Sequence, residues 1–199
     1  MKRVLVIDCT LREQSRTKQL ADSFLNGVDC DKCEVKVLKL DDMNLKPMGS
    51  ESYRQRDVLL AKGKRDHPRF DLAHMTAKAD LIVIAAPFWD LSFPSMLKVF
   101  IEHICVEGIT FNSDETGLHG CCRAEKLVYL TTRGGLIRTG DPMEQATPYL
   151  EALRGLLGFG PLTVIAAAGM DVQGYDSQTE LKNACVLAEK TAEEIAAAW

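Results

Sequence analysis

Five short runs of apolar, largely β-branched residues recur along the chain, and they restrict its fold more than any other feature. Val4 to Ile7, Val35 to Leu40, Leu81 to Ala86, Leu127 to Thr131 and Leu162 to Ala167 each read as a strand. Three of them are almost wholly apolar, as strands covered on both faces are. Helical segments separate them. Thr17 to Phe24 places Leu20, Ala21, Phe24 and Leu25 on one face, and Asn26-Gly27 stops it. A second helical region includes Phe70 to Lys78. Pro94 opens a third, whose Leu97, Phe100, Ile101, Ile104 and Cys105 form one stripe before Gly108 ends it. Asp141-Pro142-Met143-Glu144 carries an N-cap, a Pro at the first helical position and a capping-box Glu. Ser177-Gln178-Thr179-Glu180 repeats the capping signal before an alanine-rich C-terminal helix. This βα alternation specifies an α/β fold: a doubly wound five-stranded parallel sheet, order 2-1-3-4-5, with helices on both faces. Ligands of such sheets bind at the carboxyl ends of the strands, where the loops after strands one and three lie together.

A chain of 199 residues suffices for one domain spanning 1–199 with a full core. A net charge of −4 gives no electrostatic footprint for nucleic acid. No window has the length of a transmembrane helix, and the apolar run after Met1-Lys2-Arg3 is too short for a signal sequence, so a cytoplasmic location is expected. The seven cysteines are then expected as reduced thiols. Cys30-Asp31-Lys32-Cys33 has neither a second pair nor histidines at zinc spacing, and it follows a helix stop, whereas redox pairs sit at a helix start. That pair and the vicinal Cys121-Cys122 stay unassigned, and no metal site is expected. Glu51 to Arg65 is highly charged and reads either as a surface insertion or as an excursion near the site.

Three segments at the predicted carboxyl edge carry chemistry. After strand one come Thr10, Ser15, Arg16 and Thr17, just where a helix begins. Free N–H groups and the positive dipole end suit a phosphate monoester there, and one cap does not account for three hydroxyls plus an arginine. Neither a Walker loop nor a GxGxxG fingerprint is present. After strand three, Pro87-Phe88-Trp89-Asp90-Leu91 supplies aromatic groups for a wall against a flat heterocycle, or else ordinary packing onto the next helix. After strand four, Thr132-Arg133-Gly134-Gly135 lets the backbone approach a ligand closely and offers unencumbered N–H groups.

Together these residues resemble the FMN-dependent NADH:quinone oxidoreductase and azoreductase family, over nearly the whole chain. The likeness is most specific in Ile84 to Leu91, continuing through Leu97-Lys98 and Gly108-Ile109-Thr110-Phe111. Arg133-Gly134-Gly135, Thr147-Pro148-Tyr149-Leu150 and Gly158-Phe159 extend it. The resemblance implies a flavodoxin-like fold binding FMN, with Thr10, Ser15, Arg16 and Thr17 on the phosphate. Pro87, Phe88, Trp89, Asp90 and Leu91 would line one edge of the ring, and Thr132, Arg133, Gly134 and Gly135 its pyrimidine side. It further implies hydride passing from NADH or NADPH to FMN and on to a quinone or azo compound, by a ping-pong mechanism. No side chain is implied as a catalytic acid or base, and His119 is the one histidine placed to reach substrate. Family members are usually homodimers with substrate at the subunit interface.

Some residues depart from the family pattern. Arg16 stands where a neutral polar residue is common, which implies stronger phosphate binding. Asp90 replaces Asn, and a carboxylate beside the ring is expected to lower its reduction potential, testable by potentiometry on Asp90→Asn. Three alternatives stand beside this reading. A flavodoxin-type carrier is usually strongly acidic with a Gly-containing, Thr-rich loop. An iron–sulfur flavoprotein needs four cysteines in a compact run. A flavin-free domain of the same fold is not distinguished by fold alone.

Overall fold

A computed structural model describes residues 1–28 and 31–199. In chain order its elements are β1 (Lys2–Asp8), α1 (Arg16–Asn26), β2 (Cys33–Lys39), α2 (Ser50–Ala61), α3 (Asp71–Lys78), β3 (Leu81–Ala85) and α4 (Ser95–Ile104). Then follow β4 (Phe111–Asp114), β5 (Gly117–Gly120), β6 (Lys126–Thr132), α5 (Ala146–Leu157), β7 (Leu162–Ala167) and α6 (Ser177–Ala197). Short 3-10 turns cover Leu40–Met43 and Pro68–Phe70. The main sheet has five parallel strands in the order β2-β1-β3-β6-β7. That is the order expected from the sequence, renumbered because β4 and β5 form a separate antiparallel hairpin.

Side chains alternate across the strands and divide the interior into two layers. Leu5 and Ile7 of β1 face a core shared with Leu97, Phe100 and Ile104 of α4 and Leu150 and Leu157 of α5. Val4 and Val6 face the other core, closed by Leu20 and Phe24 of α1 and by Leu181, Ala188 and Ile195 of α6. Every residue of β3 is buried, as a central parallel strand requires. Alanines at 184, 188 and 192 let α6 lie close to α1. Gly27 serves the same approach: a Cβ there would stand 2.3 Å from the Glu189 carbonyl oxygen. It ends α1 with φ −81°, so close packing and not a left-handed turn requires the glycine.

Three local expectations are corrected. Asp141 to Glu144 forms a turn, not the first turn of a helix; α5 starts at Ala146, and Glu144 Oε1 accepts from the N–H groups of Ala146 and Thr147, both at 3.0 Å. The capping residue of α6 is Asp176, whose Oδ1 accepts from the Thr179 N–H, while Ser177 already lies inside the helix. α4 ends at Ile104 and not near Gly108, which sits in a later turn at φ +80°. The charged segment 51–65 forms most of α2, a helix with no buried residue, and so lies on the surface. Cys33 is buried in the second core, and Cys30 lies outside the described residues. Among the described residues, no helix is long and apolar enough to cross a membrane, and no cluster of His, Cys, Asp or Glu could hold a metal ion.

Candidate functional site

The loops after β1, β3, β6 and β7 meet at the carboxyl edge of the sheet around a cleft of about 330 Å³. Ser15, Arg16, Thr17, Pro87, Phe88, Trp89, Thr132 and Gly134 line it, as the sequence suggested. Leu11, Arg12, Gln14, Met170 and Asp171 line it as well.

The β1–α1 loop is held from both ends. Asp8 Oδ1 accepts from the Thr10 N–H at 2.8 Å, and the Ser15 hydroxyl accepts from the Lys18 N–H at 3.2 Å, capping α1. That cap leaves the N–H groups of Arg16 and Thr17, at the first two helical positions, without an intrahelical carbonyl. Both residues line the cleft, as does Arg12. The hydroxyls do not all serve a ligand. Ser15 caps the helix, Thr17 Oγ1 shares a 2.7 Å hydrogen bond with Thr132 Oγ1, and Thr10 is buried beside the cleft without lining it. Arg16 Nη1 lies 2.7 Å from Asp171 Oδ1, so an acidic group occupies its charge at the start of α1.

The loop after β3 is fixed to its neighbours by main-chain bonds. The Phe88 N–H donates to the Thr132 carbonyl at 3.0 Å, and the Leu91 carbonyl accepts from the Gln145 N–H at 2.9 Å. Between these anchors, Trp89 and Ser92 exchange two backbone hydrogen bonds around a tight turn. Its central residues, Asp90 and Leu91, have φ +48° and +68°. A turn of this hand needs positive φ at both positions, which Asp tolerates and Leu adopts at a cost of about 1–2 kcal/mol. Asp90 and Leu91 are exposed at the apex, outside the lining of the cleft, and water screens the Asp90 carboxylate. Phe88 and Trp89 form the wall.

The loop after β6 is zipped to the loop after β7. The Met170 N–H donates to the Arg133 carbonyl, and the Asp171 N–H to the Gly134 carbonyl, at 3.0 and 2.9 Å. These bonds bring Met170 and Asp171 to the cleft. A Cβ at Gly134 would stand 2.7 Å from Asp171 Oδ2, the end of an exposed side chain that can swing aside. Gly135 accepts from the Gly169 N–H and holds the loop without lining the cleft. Arg133 departs furthest from its sequence-derived role. It is fully buried, with Nη1 and Nη2 donating to the Ile137 carbonyl and the Thr139 hydroxyl at 3.1 and 3.0 Å. Arg133 follows the last residue of β6, and its side chain is buried in the interior while Thr132 and Gly134 line the cleft. Its guanidinium carbon lies 5.6 Å from the centre of the Phe88 ring, behind the wall.

His119 is placed elsewhere. It sits on the exposed hairpin, its Nε2 2.7 Å from Thr116 Oγ1 and 3.1 Å from Asp114 Oδ1. The next residue, Gly120, abuts Leu157 and Gly158 at the end of α5, whereas the cleft loop meets the start of α5 at Gln145. A helix of twelve residues separates these points by about 18 Å, so His119 does not reach this cleft. The cysteines near the interior are poor nucleophiles. Burial pushes the Cys105 thiol up to about 11 and Cys122 to about 12, and raises Cys9 further still, with Asp8 adding to it.

Arg12, Met170 and Asp171 line the cleft but were not assigned to it from sequence. The one available signal for the last two was Gly169-Met170-Asp171 directly after a predicted strand, with Gly169 at φ +76° making the turn.

The profile of the flavodoxin-like fold family matches residues 2–191. An FMN-dependent NADH:quinone oxidoreductase of Clostridium acetobutylicum is 36% identical over 98% of this chain and 100% of its own length. One from Clostridium beijerinckii is 32% identical over 96% of this chain and 98% of its own. Among solved structures, an azoreductase from Bacillus anthracis superposes with a TM-score of 0.86 at 22% identity, covering 98% of this chain and 100% of that one. An FMN-dependent NADH-azoreductase from the same species, solved with FMN, gives 0.82 at 20% identity, with 98% and 100% covered. At such identities the structural likeness shows a shared fold. The match to the family profile, with relatives above 30% identity along their full lengths, shows that this chain belongs to the flavodoxin-like family that includes the FMN-dependent NADH:quinone oxidoreductases.

Proposed function

We propose that this protein is an FMN-dependent NADH oxidoreductase that reduces quinones and azo compounds. One observation carries the reading: a single cleft joins an anion-binding end, made by the start of α1 with Arg12 and Arg16, to a flat wall made by Phe88 and Trp89. FMN has both parts, a phosphate monoester and a planar ring, and the donor set suits it. The free N–H groups of Arg16 and Thr17 match phosphate oxygens. The absent side chain of Gly134 leaves the backbone open to a ring edge.

Bound FMN supplies the hydride chemistry, taking two electrons from a nicotinamide and giving them to the acceptor. The protein's part is to bind and orient. Arg16 and the N-terminus of α1 hold the phosphate, Phe88 and Trp89 hold the ring plane, and Thr132 and Gly134 fix its edge. None of these groups is placed as an obligatory acid or base, so solvent supplies the protons. Leu11, Trp89, Leu91, Leu136 and Met143 expose apolar surface, some on the cleft and others on the loops around it. That supports a homodimer whose partner covers the mouth and completes the acceptor site, in a cytoplasmic protein. Size-exclusion chromatography with light scattering tests the dimer.

The function is tested by the absorption spectrum of the purified protein. A flavin spectrum that bleaches with anaerobic NADH and returns on adding a quinone supports the proposal. A colourless protein that takes up no added FMN rejects it.

A further inference from the structure

The largest fully buried side chain in this protein is Arg133, and it lies directly behind the cleft. Buried arginines are rare and are paired when they occur. Its partner is Glu144, also without exposed side-chain surface, with Oε2 3.9 Å from Arg133 Nη2. That separation makes the contact electrostatic, with no hydrogen bond between the two. Arg133 spends its Nη donors on Ile137 and Thr139, and Glu144 spends Oε1 on the N–H groups of Ala146 and Thr147. Glu144 Oε2 and Arg133 Nε have no hydrogen-bond partner. Each residue is thus positioned by neutral groups, and the two charges face one another in an interior with little water.

Two ionisable neighbours in this interior, Tyr129 and Cys9, are neutral. Burial raises the Tyr129 hydroxyl and the Cys9 thiol well above their ordinary values. The Arg133–Glu144 pair adds two opposed charges to this interior, which also holds the buried Asp8. Its position gives it a route to the cleft. Arg133 lies between two cleft residues, Thr132 and Gly134, and its guanidinium stacks behind Phe88, whose ring forms the wall. One aromatic ring separates the positive charge from the space that the proposed function assigns to the flavin.

We propose that Arg133 and Glu144 are positioning residues that act as opposed charges, Arg133 favouring the reduced, more electron-rich form of bound FMN and Glu144 tempering that preference. The proposal rests on the FMN reading. It differs from a structural role in one respect: removing either charge must move the redox preference in opposite directions. With a separation of about 10 Å and an effective dielectric near 20, one unit charge changes the ratio of reduced to oxidised FMN affinities roughly tenfold. For a two-electron couple, tenfold corresponds to about 30 mV.

The test is the midpoint potential of the FMN-loaded protein, by anaerobic dye-coupled titration, for wild type, Glu144→Gln, Arg133→Met and Arg133→Lys. Glutamine keeps a carbonyl acceptor for Ala146 and Thr147, so Glu144→Gln leaves the start of α5 intact. The expected result is a rise in Glu144→Gln, a fall in Arg133→Met, and a value near wild type in Arg133→Lys. Should Arg133→Met not fold, Glu144→Gln and Arg133→Lys against wild type still decide it. A Glu144→Gln protein that binds FMN at the wild-type potential overturns the proposal, as does a shift of both charge-removing variants in one direction. Wild-type protein that binds no FMN in a fluorescence titration overturns the FMN reading itself, a failure visible before any variant is made.

Discussion

Arg16 offers the most direct test of what the anion-binding end recognises. In the free protein its guanidinium sits 2.7 Å from Asp171 Oδ1, with 43% and 70% of the two side chains exposed. An ion pair so exposed is worth about 0–1 kcal/mol. A charge-assisted hydrogen bond from Arg16 to a phosphate is worth about 1.5–3 kcal/mol, and forming it means leaving Asp171. The net gain is about 1–2 kcal/mol, so Arg16→Ala is expected to weaken FMN binding roughly fivefold to thirtyfold. Asp171→Asn frees Arg16 and removes a negative charge from beside the phosphate, and is expected to tighten FMN up to about fivefold. Riboflavin, which lacks the phosphate, should bind both variants as it binds wild type. The assay is quenching of flavin fluorescence on titration with apoprotein, at low salt and at 1 M salt, where the Debye length falls to about 3 Å and the Asp171→Asn gain should shrink. The assignment is refuted if Arg16→Ala weakens riboflavin as much as FMN, or if Asp171→Asn weakens FMN binding.

Three further outcomes follow from local geometry. Leu91→Asn places a residue that tolerates φ +68° where leucine is strained, and should raise the melting temperature by roughly 2–4 °C while weakening quinone binding; no gain in melting temperature by calorimetry would show the turn to be unstrained. Gly160→Ala would put a Cβ 1.8 Å from the Glu125 carbonyl oxygen, forcing backbone apart at the entrance to β7, and a loss of about 3 kcal/mol, or roughly 6–12 °C, is expected; a melting temperature within about 2 °C of wild type would contradict it. Hydrogen bonds from Thr116, and then from His119, hold the Asp114 carboxyl below its ordinary value. Its ionised form therefore supports the hairpin at pH values above the ordinary carboxylate range, and the support is lost as pH falls through the lowered value. Amide signals of Thr116 and Gly117 followed by NMR through an acid titration should move together, and Asp114→Asn should abolish that transition.

The strands were legible because a central parallel strand has no polar face to confuse its pattern: Leu81 to Ala85 is apolar at every position and buried at every position. The hairpin of β4 and β5 was not, since seven of its eight residues are exposed and no alternation marks it. α2 was illegible because its half-buried face carries only two apolar residues, Leu59 and Leu60. In both, backbone pairing and local geometry decide the structure, and the hydrophobic pattern is silent. At Glu144 the signal was present but displaced. An Asp-Pro-x-Glu run reads as a capping box, yet the turn closes first and the glutamate caps the helix that follows from outside it. Arg133 shows the same limit at the site. Its neighbours 132 and 134 line the cleft, and from sequence the whole Thr-Arg-Gly-Gly turn was assigned to the ligand; nothing local marks Arg133 as the residue of that turn that is fully buried.

Asp171 was marked in sequence only by a glycine turn after a strand; it reaches the cleft through the backbone bonds that join the β6 and β7 loops. The same kind of bond recurs around the whole site: Phe88 to Thr132, Leu91 to Gln145, Met170 to Arg133, Asp171 to Gly134. Main-chain bonds of this sort depend little on side-chain identity, so the frame survives substitutions that change what the cleft recognises. That accounts for the strained Leu91. A turn anchored at Phe88 and again at Leu91 itself keeps its left-handed geometry whatever residue stands at its apex. Asparagine or glycine would occupy that apex at less cost, so the leucine is explained by its exposed apolar surface beside the cleft and not by the fold. The expected fall in quinone binding in Leu91→Asn, set against its rise in stability, measures the two roles separately.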